Sequence, residues 1–493
     1  MTAKKLKIAS ISSEVSPFSK TGGLADVARS LPKALKRMGH KVIIITPLYG
    51  QIIDKKKNNL KLIYDNVKIY LNSSESVRIN YWLGYLMDNL PVYFIENKKY
   101  FSQSKNIYGS SRDNTRFLIF DVAALKLISL LKFEADIVHC HDWHTGLIPF
   151  YLKTDFRYSK TLRKAKTIFT IHNLAFQFGH NWWHVPLSKK DYGRIRIPHI
   201  SDPMIENINF AKRAILSADI INTVSERYRQ EIMTKNFGQD LHRILRNRRH
   251  RLFGIVNGID YMSYNPENDR NIYENYNYKT FNLKTANKIY LQKLLKLPPS
   301  TSIPIIGMTS RVTFQKGFHL LETLFKHLLE LDLQIVIMGD GDKKYIKSLK
   351  KYREKFRGKI VWLPFTDNQK LETLIYAAAD IFLLPSHHEP CGINQLIAMR
   401  YGCIPVVRKV GGLHDTVVNF NQATNRGTGF SFAKYNPDSL YETVTKALEI
   451  FKDKSLWNNL IVRAMKTSNS WEIPAKKYVT LYKKALKIRE QTN

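Results

Sequence analysis

Short runs of β-branched and apolar residues alternate with helix-length segments along the whole chain. This alternation predicts parallel sheets covered by helices, because a crossover between parallel strands needs about a dozen residues or more. In the first half the predicted strands are Lys7–Ser12, Lys41–Thr46, Asp136–Cys140, Thr167–Ile171, Ile220–Val224 and Gly254–Val256. In the second half they are Pro304–Thr309, Gln334–Met338, Lys359–Leu363, Ile381–Leu384 and Pro405–Val407. The predicted fold class is α/β, with two doubly wound domains and loops gathered at the carboxyl ends of their strands.

The join between the two domains is predicted near residues Asn257–Asp260. This segment contains an Asn-Gly turn dipeptide and precedes a polar stretch rich in Asn and Tyr, which is typical of a connector. A length of 493 residues accommodates two large α/β domains. Predicted helices between the strands include Leu24–Met38, Phe318–Leu331, Leu371–Ala379 and Ser439–Phe451.

Charge and cysteine content limit the classes of partner and the cellular compartment that suit this chain. Lys and Arg number 77 against 41 Asp and Glu, a formal net charge of +36, which favours anionic partners such as nucleic acid, acidic membranes or phosphorylated small molecules. Because Lys is plentiful throughout, a compositional bias explains this charge better than one nucleic-acid-binding face, and we expect no nucleic-acid partner. Cys140, Cys391 and Cys403 are too few for a disulfide framework and fit a reducing cytoplasm.

No segment has the pattern of a leader or a membrane span. Residues Met1–Ser12 contain only a short apolar stretch and are predicted to form the first strand, not a signal peptide. The best span candidate, Leu374–Leu384, is interrupted by Asp380 and falls short of the roughly 18 apolar residues that a span needs. We therefore expect a soluble, cytoplasmic protein without a membrane partner.

The first loop with candidate chemistry is Lys20–Gly23, between the first strand and an amphipathic helix. A double glycine at a helix start exposes N–H groups that suit a phosphate, and Lys20 adds a positive charge. A structural tight turn explains the loop equally well. The loop matches neither a dinucleotide-binding fingerprint nor a Walker loop.

A cluster of histidines, His139–His144, ends another predicted strand. Alternation along an extended segment turns His139 and His141 to one face and Cys140 to the other. Because no second ligand cluster accompanies them, a sugar-facing histidine is a better interpretation than a metal site. At least one of these histidines is expected to be structural. The segment Thr170–Asn173 is a similar strand end, for which the sugar-facing and structural interpretations carry equal weight.

Two loops of the second half combine cations with a carboxylate. Arg311 and Lys316 flank the loop after a predicted strand, where fixed cations suit a diphosphate leaving group; a solvated basic loop is the alternative. The segment Pro385–Gly392 leads into a helix predicted near Ile393, and its Glu389 can accept hydrogen bonds from sugar hydroxyls. Cys391 lacks a partnered base, so packing explains it better than a nucleophilic role.

A second glycine pair repeats the pattern of the first. The sequence Gly-Gly-Leu at Gly411–Leu413 resembles Gly22–Leu24, and both precede a predicted helix. We therefore expect both pairs to turn backbone amides toward a ligand.

Taken together, these segments closely resemble the bacterial glycogen synthase and plant starch synthase family. The matching segments, in family order, are Lys20–Val27, His141–Leu147, Thr170–Ala175, Val256–Asp260, Ser310–Gly317, Glu389–Gly392 and Gly411–Leu413. The resemblance covers nearly the whole chain, and its first segment and the Glu389 segment are the most specific.

The resemblance implies a GT-B fold, in which two Rossmann-like doubly wound domains face each other across a cleft. The N-terminal, acceptor-side domain would span 1–257 and be completed by a C-terminal helix at 472–493, and the nucleotide-sugar-binding domain would span 258–471. The implied reaction transfers glucose from ADP-glucose to the non-reducing end of an α-1,4-glucan, glycogen or starch, with retention of anomeric configuration. It implies no metal and no cofactor.

Site residues carried over by motif form two groups. Glu389, His141 and Asp26 are the implied catalytic residues: Glu389 would hold sugar hydroxyls or stabilise an oxocarbenium-like centre, His141 would bond the donor glucose, and Asp26 would line the cleft. The implied substrate-binding residues, several of which would meet the ADP diphosphate, are Lys20, Gly22, Gly23, Arg311, Lys316, Cys391, Gly392 and Asn394.

The chain departs from the family pattern close to Glu389. His387-His388 stands where Arg or Lys and Phe are usual, and Asn394 stands where Thr or Ser is usual. Two other functions fit the residues: a related retaining transferase that uses UDP-glucose or another acceptor, and a basic protein that binds glucan or RNA without turnover. One carboxylate amid cations favours transfer over hydrolysis, which commonly uses two carboxylates about 5 Å apart.

Overall fold

The computed structural model describes residues 4–179, 185–186, 190–193, 196–365 and 369–488. The chain forms two α/β units: unit 1 contains Met1–Asn257 and Trp471–Asn493, and unit 2 contains Gly258–Ser470. In the sequence, unit 2 is therefore an insertion within unit 1.

Unit 1 is built around one mixed sheet. Its strands are β1 (Lys7–Ile11), β2 (Lys41–Pro47), β3 (Lys61–Tyr70), β4 (Ser76–Leu86), β5 (Leu90–Glu96), β6 (Ile137–His141), β7 (Lys166–Ile171), β8 (Ile220–Thr223) and β9 (Leu252–Gly254). Its α-helices are α1 (Gly23–Arg37), α2 (Asp113–Leu130), α3 (Ile148–Lys153), α4 (Phe210–Ser217), α5 (Glu226–Glu231), α6 (His242–Asn247) and the C-terminal α15 (Glu472–Leu486). The strands pair in the order β3-β4-β5-β2-β1-β6-β7-β8-β9.

The central strands of unit 1 follow the predicted pattern. β1 pairs in parallel with β2 and with β6, so that Ile8 lies beside Val42 on one side and Ile137 on the other. These strands are buried apolar runs, as expected for a parallel sheet covered on both faces. The last strand was predicted at Gly254–Val256 but lies at Leu252–Gly254, so its predicted position was two residues too late.

The edge of this sheet holds strands that the sequence analysis missed. β3 pairs antiparallel with β4, and β4 pairs antiparallel with β5. β3 is largely exposed, and its pairing shifts register between Leu62 and Tyr64 and again between Tyr64 and Val67. Such a strand carries neither a buried apolar run nor a regular alternation, and these are the two patterns by which strands are recognised.

Unit 2 is built around a parallel sheet. Its strands are β10 (Ile305–Thr309), β11 (Gln334–Met338), β12 (Ile360–Leu363), β13 (Ile381–Leu384), β14 (Ile404–Arg408) and β15 (Phe430–Phe432). Its α-helices are α7 (Lys284–Leu294), α8 (Phe318–Glu330), α9 (Lys343–Lys355), α10 (Gln369–Ala378), α11 (Asn394–Arg400), α12 (Gly411–Thr416), α13 (Pro437–Lys452) and α14 (Lys454–Lys466). The order is β12-β11-β10-β13-β14-β15. Every strand predicted here is confirmed to within two residues at each end, and the three-residue β15 was missed.

The C-terminal helix α15 packs on the sheet of unit 1. The hydroxyl of Tyr482 lies 2.8 Å from Nδ1 of His139, and Nδ2 of Asn222 donates to the hydroxyl of Tyr478 at 2.9 Å. None of the helices in the described part of the chain is long and apolar enough to cross a lipid bilayer.

The two ends of unit 2 lie side by side. Ile259 and Ser470 form a parallel bridge, and the N–H of Ile259 donates to the carbonyl of Asn469 at 2.8 Å. The chain therefore enters and leaves this unit at one place.

Each sheet has a topological switch point beside its first strand. β1 has β2 on one side and β6 on the other, and β10 has β11 on one side and β13 on the other. Loops that leave the carboxyl ends of two such neighbours run in opposite directions and open a crevice, where α/β proteins bind ligands. The predicted site residues lie in the loops that follow β1, β10 and β13, at the end of β6, and in the first turns of α1 and α11.

Candidate active site

In unit 1 the glycine loop Lys20–Gly23 leads directly into α1. Gly22 is the N-cap residue in extended conformation, and no side chain caps the first turn of the helix. A Cβ built on Gly22 or on Gly23 would meet no atom within 4 Å, so no neighbouring protein atom requires a glycine there. The first turn thus has no side-chain cap and no crowding at its glycines, which is compatible with an anion site at a helix N-terminus.

Two predicted site residues of this loop form an ion pair. Nζ of Lys20 lies 2.9 Å from Oδ2 of Asp26, which stands in the first turn of α1. The side chain of Lys20 is 46% exposed, so the pair is weak and water competes for both partners. The ammonium is thus held beside the helix start and can exchange Asp26 for a phosphate oxygen.

The histidines at the end of β6 divide into structural ones and one that faces the switch point. The rings of His139 and His141 lie on one face, with centroids 4.1 Å apart, which confirms the predicted alternation. His139 uses both ring nitrogens, with Thr170 Oγ1 at 2.7 Å and Tyr482 at 2.8 Å. His144 stacks on Tyr108 at 4.5 Å. His139, with both ring nitrogens bonded, is the structural histidine that was expected; the buried Nδ1 of His144 has no hydrogen-bond partner among the described residues.

His141 is buried and joins two strand ends. Its Nε2 lies 3.3 Å from Oγ of Ser10, and its Nδ1 lies 3.0 Å from Nε2 of His172. Burial and the neighbouring histidines lower the pKa of His141 well below its usual range, and burial lowers the pKa of His172 to about 3. Both rings are therefore neutral at pH 7. His172 is half-buried and covers His141, whose role toward glucose stays a prediction.

Two buried carboxyl groups beside this cluster were missed. Glu14 follows β1, and its Oε2 accepts from the N–H and Oγ1 of Thr21 at 2.6 and 2.8 Å. Asp142 follows β6, and its Oδ1 accepts from the N–H of His172 at 2.7 Å. Burial raises the pKa of each to about 7. Their sequence signal is an acidic residue within three positions of the end of a buried strand.

In unit 2 the loop after β10 meets the loop after β13. Nζ of Lys316 lies 2.5 Å from Oε2 of Glu389, and Oγ of Ser386 donates to the same oxygen at 3.1 Å. Gly317 has a φ of +84°, and a Cβ there would lie 2.2 Å from the carbonyl oxygen of Pro385, so this contact requires glycine. The structure thus brings two predicted site residues, Lys316 and Glu389, into direct contact.

Arg311 differs from Lys316 in being exposed. Its Nη2 lies 3.4 Å from Oε1 of Gln315, a long contact that holds the guanidinium weakly. Arg311 therefore presents N–H donors that can form two parallel bonds with a phosphate.

The second glycine pair does not behave as predicted. The N–H of Gly412 donates to the carbonyl oxygens of Glu389 and Pro390 at 3.2 and 3.1 Å, so this amide is engaged by the protein itself. A Cβ on Gly411 would lie 1.9 Å from the carbonyl oxygen of Glu389. The expectation that this amide faces a ligand was wrong: the glycines instead let the start of α12 pack against the Glu389 loop.

The residues after Glu389 shape its loop. Cys391 is 5% exposed, in keeping with the packing interpretation. Gly392 has a φ of +70°, which favours glycine. Nδ2 of Asn394 donates to the carbonyl of Thr309, at the end of β10, at 2.5 Å. The predicted contacts of these three residues with substrate stay predictions.

The two histidines that replace the usual residues before Glu389 have different surroundings. The ring of His387 packs against Phe314 and Tyr435, with centroids 5.2 and 4.9 Å away. Burial lowers the pKa of His388 to about 4, so its ring is neutral at pH 7. The substitutions therefore add no positive charge beside Glu389 at that pH.

The arrangement within each unit suits an anionic ligand. At each switch point a lysine pairs with a carboxylate, Lys20 with Asp26 and Lys316 with Glu389. Unit 1 adds an uncapped helix start, and unit 2 adds the exposed Arg311. Fixed cations and open amides of this kind stabilise the negative charge on phosphate oxygens.

Comparison with known protein families gives two matches along the chain. Residues 7–247 match the starch synthase catalytic domain. Residues 296–461 match the glycosyl transferases group 1 family. The first match falls in unit 1 and the second in unit 2.

Relatives in bacteria are similar over their full length. A glycogen synthase of Thermosipho melanesiensis is 41% identical over 486 residues, which cover 98% of this chain and 100% of the relative. A glycogen synthase of Clostridioides difficile is 40% identical over 487 residues, which cover 97% and 99%.

Solved structures share the architecture. The catalytic domain of starch synthase IV from Arabidopsis thaliana, bound to ADP and acarbose, superposes with a TM-score of 0.87 at 32% identity and covers 98% of this chain and 100% of that one. A sucrose-phosphate synthase of Thermosynechococcus elongatus has a TM-score of 0.61 at 16% identity over 97% and 99%, a likeness of fold alone. These matches confirm the predicted GT-B class, and the chain belongs to the glycogen synthase and starch synthase family of glycosyltransferases.

Proposed function

We propose that this protein is a glycogen (starch) synthase, which transfers glucose from ADP-glucose to the non-reducing end of an α-1,4-glucan with retention of anomeric configuration. The contact between Lys316 and Glu389 at the switch point of unit 2 carries the proposal. The contact supports the proposal because a cation that suits a leaving phosphate lies next to a carboxylate that suits a sugar hydroxyl. Full-length relatives named glycogen synthase, and a starch synthase solved with ADP and acarbose, support the same donor and acceptor.

The cations act on the leaving group. When the bond between the sugar and ADP breaks, negative charge develops on the diphosphate, and fixed positive groups lower the energy of that state. Arg311 offers a fork of N–H donors. The ammonium of Lys316 has three donors, so it can keep its bond to Glu389 while it binds a phosphate oxygen. The glycine loop of unit 1 suits the same chemistry: Lys20 offers an ammonium, and the amides at Gly22 and Gly23 offer N–H donors, to a diphosphate.

The carboxylate acts on the sugar. Glu389 is held by Lys316 and Ser386, so its charge has a fixed position when positive charge develops at the anomeric carbon. His141 is a neutral imidazole whose ring nitrogens lie beside Ser10 and His172, so it bonds a glucose hydroxyl only by giving up one of these contacts. Asp26 keeps Lys20 beside the start of α1 until the donor arrives.

We also propose the domain assignment that the family resemblance implies. Residues 1–257 with 472–493 form the acceptor-side domain, and 258–471 bind the nucleotide sugar. We also propose a cytoplasmic location, because Cys140, Cys391 and Cys403 form no disulfide with one another, which suits a reducing compartment.

The test is release of nucleoside diphosphate from ADP-, UDP- or GDP-glucose with and without glycogen. We expect glycogen-dependent release that is fastest with ADP-glucose. We also expect Glu389→Ala to lower kcat by about 100-fold or more, as does the loss of a charge-stabilising group elsewhere. Preference for UDP-glucose would support the alternative donor. A protein that retains RNA or glucan and releases no nucleotide from any donor would refute the proposal.

A further inference from the structure

We propose that Glu14 is a positioning residue that holds the anion-binding loop Lys20–Gly23 in place through its two hydrogen bonds to Thr21. The inference rests on the proposed function, in which this loop binds the diphosphate of the donor. Glu14 itself touches no ligand in this account and acts through the loop.

The geometry shows how Glu14 fixes the loop. Its side chain is buried, with the residue 2% exposed, and one oxygen, Oε2, accepts from both the N–H and Oγ1 of Thr21. Two bonds to one residue fix its backbone and its side-chain rotamer together. Thr21 directly precedes Gly22, the N-cap of α1, where no side-chain cap operates. The position of the helix start therefore depends on Thr21 and on Glu14 behind it.

Glu14 is in turn fixed to the core of unit 1. Oγ of Ser12 donates to its carbonyl at 2.9 Å. The carbonyl of the preceding Ser13 accepts from the hydroxyl of Tyr49 at 2.8 Å, and Oγ of Ser13 lies 2.8 Å from the hydroxyl of Tyr108. Glu14 thus connects the end of β1 to the glycine loop, where a Cβ on Gly22 or Gly23 would meet no atom within 4 Å.

Protonation of Glu14 also couples anion binding at the loop to pH. The titratable and charged groups that face it are Lys20 and Asp26 near the start of α1, Tyr49 after β2, Tyr108 before α2 and Asp142 after β6. Burial is the main reason that the pKa of Glu14 is raised to about 7. A diphosphate bound at the loop adds negative charge nearby and raises this pKa further. Binding of the anion therefore takes up protons near pH 7, and by linkage lower pH strengthens binding.

Three variants separate positioning from charge. Glu14→Gln keeps an acceptor oxygen for Thr21 and removes the charge, whereas Glu14→Ala removes both bonds. Thr21→Val removes the hydroxyl bond and leaves the N–H bond, as a matched control with nearly the same shape. The probes are ADP and inorganic pyrophosphate, titrated calorimetrically from pH 6 to 8 in two buffers with different ionisation enthalpies. Turnover of ADP-glucose is measured in parallel.

The positioning role predicts a distinct order of effects. Glu14→Ala weakens ADP binding and raises KM by about tenfold, the effect of one to two hydrogen bonds, while kcat falls less. Thr21→Val shows a smaller loss in the same direction. Glu14→Gln binds ADP at pH 8 at least as tightly as the unmodified protein and no longer takes up protons on binding.

Several outcomes would overturn the inference. Unchanged ADP affinity in Glu14→Ala would do so, and so would equal losses in melting temperature for all three variants with unchanged affinity of the folded fraction. If the unmodified protein binds pyrophosphate and the variants follow the predicted order without turnover of ADP-glucose, only the proposed function fails. If it binds neither ADP nor pyrophosphate, both fail.

Discussion

Each unit begins a helix with the same three residues, Gly-Gly-Leu, yet the two glycine pairs serve opposite purposes. Side chains at Gly22 or Gly23 would meet nothing, whereas a side chain at Gly411 or Gly412 would collide with the backbone of Glu389 or Cys391. In unit 1 the space that side chains would fill is empty of protein atoms. In unit 2 the corresponding space is taken up by the protein's own chain. A short shared motif therefore does not establish a shared role.

The largest effect is expected from a substitution that disrupts the packing in unit 2. In Gly411→Ala the new Cβ would lie 1.9 Å from the carbonyl oxygen of Glu389, at a residue with a φ of +45°. Overpacking and backbone strain together should lower the free energy of unfolding by about 3 kcal/mol, measured by chemical denaturation. Gly22→Ala is the matched control. A Gly411→Ala protein as stable as the unmodified one would show that the two pairs are equivalent.

The second-largest effect distinguishes Arg311, the exposed cation of unit 2, from Lys316, which pairs with Glu389. Arg311→Ala should lower kcat about 100-fold, since it removes a charge that acts on the leaving group, with little change in donor affinity or stability. Lys316→Ala should lower kcat similarly and also destabilise the fold by about 1–3 kcal/mol, because Glu389 loses its partner while 9% exposed. Steady-state kinetics, donor titration and denaturation measure these changes. Equal losses in kcat and donor affinity for both variants would contradict a leaving-group role.

A smaller effect tests the open space in unit 1. Gly22→Ala places a methyl group where nothing else lies, so the free energy of unfolding should stay within about 0.5 kcal/mol. If the diphosphate binds at this loop as proposed, the methyl group hinders its approach, and KM for ADP-glucose should rise about tenfold, the effect of roughly one lost hydrogen bond. Normal kinetics in this variant would mean that the donor does not approach the amides of α1.

The smallest effect concerns Asn394, where the family usually has Thr or Ser. Asn394→Thr loses the bond to the carbonyl of Thr309 and should cost about 1 kcal/mol of stability. We expect kcat to stay within about threefold. The side-chain amide of Asn394 bonds to the protein itself, at the end of β10, and this contact is worth about one hydrogen bond. Denaturation and initial-rate measurements test this. A large fall in kcat with unchanged stability would instead assign Asn394 to the substrate.

Much of the fold could be predicted because buried parallel strands have a simple sequence pattern. The runs at Gln334–Met338 and Ile381–Leu384 were placed at their observed bounds, since continuous apolar runs of that length suit strands covered on both faces. The strands β3 and β4 were missed because their exposure and register shifts remove that pattern. The strand β5 was missed as well, although its alternating burial fits a strand. Strand order was also beyond the sequence, because it depends on contacts between distant segments.

The loops of the site could be predicted from the sequence, but the contacts between their residues could not. Loop chemistry pointed to Lys316 and Glu389 separately, but their contact depends on Gly317 and its close approach to Pro385. Glu14 was missed because a lone acidic residue after a strand has no distinctive spacing. Its role depends on its burial and on its hydrogen bonds to Thr21, and both arise only in the folded chain.

The placement of α15 has a consequence for biosynthesis. The ribosome completes all of Gly258–Ser470 before it makes the helix that supplies Tyr478 and Tyr482 to the first sheet. During that interval His139 and Asn222 lack these hydroxyl partners. Unit 1 therefore stays incomplete while unit 2 can already fold. Nascent chains stalled before Trp471 should therefore expose the first sheet to proteases and chaperones.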